Sequence, residues 1–240
     1  MKANYIIFHP DSQREKVSVQ ALALENNKLD TDWVGNIFVD CMGNKNEDPF
    51  VFSDPWLFSY CHATQLKRNK GVDSLQPESI IIFVSGQDAE NGLLSVDTVF
   101  LIAAVQKWNT FPNLEMPLKY AKHYKDEKSM LWNRHFRFPF DGCHSSVTYT
   151  YEAKLWDNDK SRFSFLPIND EGLKVTLNIS DLSEELSAKI NGKVKGKYPV
   201  CLTDIEVNEV VDRISCASFT KVLKITSCTK ELIFEHKNCK

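Results

Sequence analysis

Six cations stand between positions 119 and 137: Lys119, Lys122, Lys125, Lys128, Arg134 and Arg137. Only Asp126 and Glu127 oppose them, and Tyr120, Tyr124, Trp132, Phe136 and Phe138 are interleaved. Cations track phosphates and rings stack on unpaired bases, so this mixture suits a single strand or a flipped base. The same pattern also describes a solvated helix with its aromatics packed inward, since a charge run is most often a wet face. A second basic run, residues 189–199, has no aromatic before Tyr198 and so lacks the stacking component.

Aromatic chemistry recurs at Trp33, Trp56 and Trp108, which flank strands or open a helix. Rings so placed sandwich a planar ligand or cage a cation, or else they fill the core. Nucleophilic chemistry is suggested by Cys61-His62 and Cys143-His144, the latter within Asp141-Gly142-Cys143-His144-Ser145. Neighbours along a strand point to opposite faces, and working Cys/His sites are assembled from distant segments, so adjacency alone assigns no catalytic residue. The histidines (His9, His62, His123, His135, His144 and His236) show no metal-binding spacing. The cysteines at 41, 61, 143, 201, 216, 228 and 239 include no CxxC pair, which argues for buried free thiols rather than structural zinc. No phosphate-cradling glycine loop occurs, and residues 85–92, SGQDAENG, carry too few glycines to make one. No metal and no cofactor is implied.

Bulk properties narrow the classes. The chain has 240 residues, a formal net charge of −3 and ordinary apolar and charged fractions. It is no polycation, so contact with nucleic acid requires a local patch. The amino-terminal apolar run is too short for a signal peptide, and no stretch approaches the length of a membrane span. The odd cysteine count without a leader argues against a disulfide framework. A cytoplasmic protein without membrane contact is expected.

The elements that must position these residues read as α+β. Strands are expected at residues 5–8, 17–24, 34–41, 80–85, 96–107, 146–156, 162–166 and 173–179, from period-two alternation or continuous apolar runs. The run IIIFV at 80–84 predicts a strand covered on both faces. Helices are expected at 54–66, capped by Asp54 with Pro55 in the first turn, and at 118–132. A helix at 181–190 reads as capped by Asp181 and stopped by Gly192, and one at 203–214 opens with a Thr203/Glu206 capping box. A hairpin or two edge strands are expected at 219–225 and 231–235. One domain spans 1–240, with a shift in pattern near 168–172 as the one candidate sub-boundary.

Residues 75–108, LQPESIIIFVSGQDAENGLLSVDTVFLIAAVQKW, resemble the centre of PUA-like domains, the superfamily of ASCH, EVE and YTH modules. In these an apolar strand, a Gly-containing turn and a second apolar strand form the middle of a barrel. The stretches CHATQLKRNKGVDSL and DNDKSRFSFLPI are similar to nucleotide-modification-associated domains of phage and bacterial base-modification systems. The resemblance covers about half the chain. Where such domains commonly carry Gly-Asp before the central strand, this chain carries Glu78-Ser79. The resemblance implies a mainly antiparallel, barrel-like sheet with flanking helices, and recognition of nucleic acid through a modified or flipped base in an aromatic cleft. Matching positions lie near Trp33, within 54–66 including Trp56, and around Phe83. His62, Ser85 and Gln87 would supply polar contacts, and Trp108 a further ring.

The expectation is a protein that binds nucleic acid or a nucleotide. Two other classes stay open. One is an enzyme acting on nucleotides or nucleic acid around Asp141, Cys143 and His144. The other is a protein-interaction module in a phage or phage-defence system, with a protein partner at a sheet edge.

Overall fold

A computed structural model of the chain describes residues 2–9, 14–40, 51, 59–60, 75–107, 149–157, 162–194 and 198–228. The chain is α+β and mostly strand. β1 (Asn4–His9), β2 (Arg14–Glu25), β3 (Lys28–Asp40), β4 (Ser59–Tyr60), β5 (Ile80–Ser85) and β6 (Leu93–Lys107) come first. β7 (Tyr149–Ala153), β8 (Leu166–Ile168), β9 (Thr176–Asn178), β10 (Val200–Leu202) and β11 (Thr220–Cys228) follow. The described helices are α1 (Gly86–Glu90), α2 (Glu184–Val194) and α3 (Asp204–Ala217).

Two sheets result. The larger has the order β10-β1-β5-β6-β7-β4, with β9 also paired to β6; the smaller has the order β3-β2-β11-β8. β1 and β5 run parallel, while β5–β6, β6–β7 and β2–β3 are antiparallel. Among the described residues neither sheet closes on itself, so the barrel expected from the resemblance is not found there. The sheets instead meet through the Val99↔Phe165 bridge and a shared core.

Alternation along the strands assigns each face. Tyr5, Ile7, Ile81, Phe83, Phe100 and Ile102 join Val19, Ala21, Ile37, Val222 and Ile225 of the smaller sheet in one core. The intervening residues Ile6, Phe8, Ile80, Ile82, Val84 and Leu101 face the opposite way, into a second core with α2 and α3. The central sheet is therefore covered on both faces, which is why IIIFV is a continuous apolar run. The helices contribute Leu186, Ile190 and Val194 from α2, and Val207, Val210, Val211 and Ile214 from α3. Both sets follow the helical repeat of one buried stripe.

Local chemistry sets the boundaries. Asn26 and Asn27 both have positive φ, 46° and 60°, and join β2 to β3 in a two-residue hairpin that short polar side chains tolerate. Thr203 Oγ1 accepts from the Glu206 backbone N–H at 3.2 Å, and Glu206 Oε2 accepts from the Thr203 N–H at 2.6 Å, so the expected capping box opens α3. The expected start and stop of α2 both move. Asp181 lies in a 3-10 turn, Ile179–Asp181, where its carboxylate accepts from Asn178 Nδ2. The helix starts at Glu184 and runs through Gly192 to Val194. Burial of Val194 extends the stripe one turn beyond Ile190 and outweighs the roughly 1 kcal/mol that an interior glycine costs relative to alanine.

The polar segment expected as a plain turn between β5 and β6 holds α1, capped by Ser85. The strands expected at 162–166 and 173–179 are shorter and displaced, at β8 and β9. The helix expected at 54–66 is not what its two described residues form: Ser59 and Tyr60 make β4, paired with Glu152 and Tyr151 of β7, so ladder pairing overrides helical spacing there. The rest of that stretch, the helix expected at 118–132 and the strand expected at 231–235 fall outside the described residues.

Candidate functional site

Polar chemistry converges where β6, β9 and the turn before β9 approach Phe38 of β3. An open cleft of about 480 Å³ is lined there by Phe38, Asp88, Ser95, Asn169, Lys174 and Thr176, with Leu173, Val175 and Ala217 as apolar wall. Each side chain is held by its element. Ser95 and Thr176 are register partners in the β6–β9 ladder, and their hydroxyls lie 2.9 Å apart. Asn169 Oδ1 accepts from the backbone N–H groups of Glu171 and Leu173, at 3.1 and 2.8 Å, and Gly172 takes φ +73°. This tight turn fixes the backbone just ahead of Lys174, which bridges to Ile168.

Lys174 is the centre of the arrangement. Its Nζ lies 2.6 Å from Asp97 Oδ1 and 5.2 Å from the centroid of the Phe38 ring. Its side chain is 18% exposed, whereas that of Asp97 is 2% exposed. A carboxylate so deep in a strand of the central sheet has a geometric cause. Phe83 pairs with Thr98 but Val84 pairs with Val96, so β6 carries one extra residue, Asp97, against β5. That bulge switches the parity of the strand: Leu94 and Val96 share the helix-side core with Val99 and Leu101. Bulges of this kind re-aim a side chain, and here the residue released from the ladder meets Lys174. The cleft thus combines a ring, a cation that a buried carboxylate neutralises, two hydroxyls and a second carboxylate, Asp88. Such a set can stack on a planar group and hydrogen-bond its polar edge.

The residues singled out from sequence are placed differently. Phe83 is fully buried between the sheets, edge-on to Phe100 with ring centroids 6.3 Å apart. Trp33 is also buried, folded over Gly35 so closely that a β-carbon there would overlap its six-membered ring. Ser85 caps α1, its Oγ accepting from the Asp88 N–H at 3.0 Å. Gln87 is exposed on α1, one residue before Asp88 of the cleft lining. Of the described sequence candidates, none is itself in the cleft lining, and Ser85 and Gln87 lie beside it in the chain through α1. Trp56, His62, Trp108, Lys119, Lys122, Lys125, Arg134 and Arg137 lie outside the described residues, as do Asp141, Cys143 and His144.

The cleft residues carried a faint signal. Asp97 is the one charged residue in the run SVDTVFLIAA, which is where a buried, partnered charge stands out. Lys174 had no comparable mark. Of the expected buried thiols, Cys201 and Cys216 are free but exposed, because Cys201 occupies the outward position of a three-residue strand and Cys216 follows the last buried residue of α3. Among the described residues no three His, Cys, Asp or Glu side chains form a metal-holding group. Among them also, no helix is long and apolar enough to cross a membrane.

No protein-family model, no curated protein and no solved structure matches the chain.

Proposed function

We propose that the protein binds nucleic acid or a nucleotide, taking a base into the cleft beside Lys174. One observation carries the reading: an aromatic ring, a neutralised lysine and a hydroxyl pair line a single cleft of about 480 Å³. That volume falls within the range of about 300–1,000 Å³ common for small-ligand sites. Phe38 offers a stacking face, and Ser95, Thr176 and Lys174 offer donors and acceptors for a base edge. Phosphates of a bound strand fall, in this reading, to Lys119, Lys122, Lys125, Arg134 and Arg137. Kinship with PUA-like domains belongs to the same proposal, and its support is the phrase at residues 75–108.

The test is binding of the purified chain to plain and base-modified oligonucleotides, and to free nucleotides, at two salt concentrations. Binding that weakens about tenfold or more in Phe38→Ala is expected, since stacking on one base contributes roughly 1–3 kcal/mol. Absence of binding to every member at low salt, or binding untouched by Phe38→Ala, would sink the proposal.

A further inference from the structure

We propose that Asp97 makes the cleft selective for a neutral ligand over a phosphorylated one. The inference rests on the base-binding reading of the same cleft and concerns which ligands it rejects. Three observations carry it. Lys174 is the single cation among the described lining residues, and its ammonium is already engaged by Asp97 at 2.6 Å. Asp97 is held by the bulge in β6, with 2% of its side chain exposed, so it cannot swing away to release the lysine. Asp88 adds a second carboxylate to the lining. Among the described residues one cation faces two carboxylates, and a phosphate entering the cleft would compete with Asp97 for Lys174 while being repelled by both acids.

Asp97 acts here through Lys174, as a positioning residue. It keeps the ammonium over the Phe38 ring, at 5.2 Å, where the lysine can still donate to a neutral base edge. A purely structural role for the ion pair would alter affinity for all ligands together. Selectivity, the ratio of two affinities, would not move.

The experiment measures dissociation constants, by calorimetry, of adenosine, guanosine, cytidine and thymidine and of their 5′-monophosphates. The proteins are the full chain, Asp97→Asn, and the double variant Asp97→Asn/Lys174→Met. The full chain is expected to bind at least one nucleoside about tenfold more tightly than its monophosphate. Asp97→Asn should move that ratio about tenfold toward the monophosphate, because it exposes an unneutralised ammonium, and the double variant should lose the gain. Should Asp97→Asn fail to fold, Asp88→Asn leaves the buried pair intact and is expected to move the ratio about threefold in the same direction. Nucleoside binding with a ratio that these variants leave unchanged, or with equal affinity for the monophosphate, overturns the inference and leaves the base-binding reading standing. Binding of neither ligand class overturns both.

Discussion

Replacing Lys174 with methionine leaves an unbranched side chain one atom shorter and removes its charge. Asp97 would then be a carboxylate with 2% of its side chain exposed and without the ammonium at 2.6 Å. Breaking a buried ion pair on one side costs about 3–5 kcal/mol, because the remaining charge stays desolvated. Lys174 retains 18% exposure, so water reaches this end of the pair and the lower figure applies, about 3 kcal/mol. For a chain of this size that is a fall in Tm of roughly 6–12 °C. The pH dependence fixes the cause. With the lysine gone, burial favours the neutral acid, so the folded state takes up a proton more readily than the unfolded chain. The loss should therefore be full near neutral pH and shrink as the pH falls toward the ordinary carboxylate range. Urea denaturation of both proteins at about pH 7 and about pH 4.5 reads this directly, and Asp97→Asn/Lys174→Met should recover most of the loss. A loss below about 0.5 kcal/mol, the scale of an exposed pair, or a loss identical at both pH values would refute the buried-pair argument.

Other substitutions test the assignments around the site. Phe83→Ala should destabilise by about 3–5 kcal/mol in chemical denaturation, as expected of a ring buried between two sheets rather than one lining a cleft. Glu206 is subject to burial that raises its carboxyl, but the Lys189 ammonium at 2.7 Å and the Thr203 contacts outweigh this and hold it below the usual range. Its contribution is thus present above the unfolded-state value and lost as pH falls through the lowered folded one. Glu206→Gln should cost about 1–2 kcal/mol near neutral pH, with the gap to the parent closing in acid, as followed by urea titration. Glu78 adopts φ +68°, a left-handed conformation that disfavours a side chain by roughly 1–2 kcal/mol. Glu78→Gly should therefore raise Tm by about 1–4 °C in a thermal melt, after the entropy of glycine and the exposed Lys154 contact are discounted.

The elements whose signals are local were the legible ones. The Thr203/Glu206 box and the stripe from Val207 to Ile214 define α3 within one stretch of chain, and IIIFV announces a strand covered on both faces. Boundaries set by distant packing were not legible. Nothing within residues 181–192 says that Val194 is buried and pulls α2 past Gly192, or that Ser183 spends its hydroxyl on Glu209 of α3, 2.9 Å away. The cleft is harder still. Asp97, Lys174 and Phe38 meet only because a bulge turns the first, a five-residue turn presents the second, and the β2–β3 hairpin carries the third. Rings drew attention at Trp33 and Phe83, where the structure uses them as core, because sequence periodicity cannot separate a ring that fills a sheet interface from one that faces a ligand.

Residue-resolved NMR titration of the isotope-labelled chain with a nucleoside panel tests the base-binding claim most directly. Saturable shifts at the amides of Phe38, Ser95, Lys174 and Thr176 are the expected result, with the buried amides of Phe83 and Ile82 unmoved. Shifts that leave those four positions untouched, or no saturable shift with any nucleoside, would contradict the assignment of the cleft as a base site.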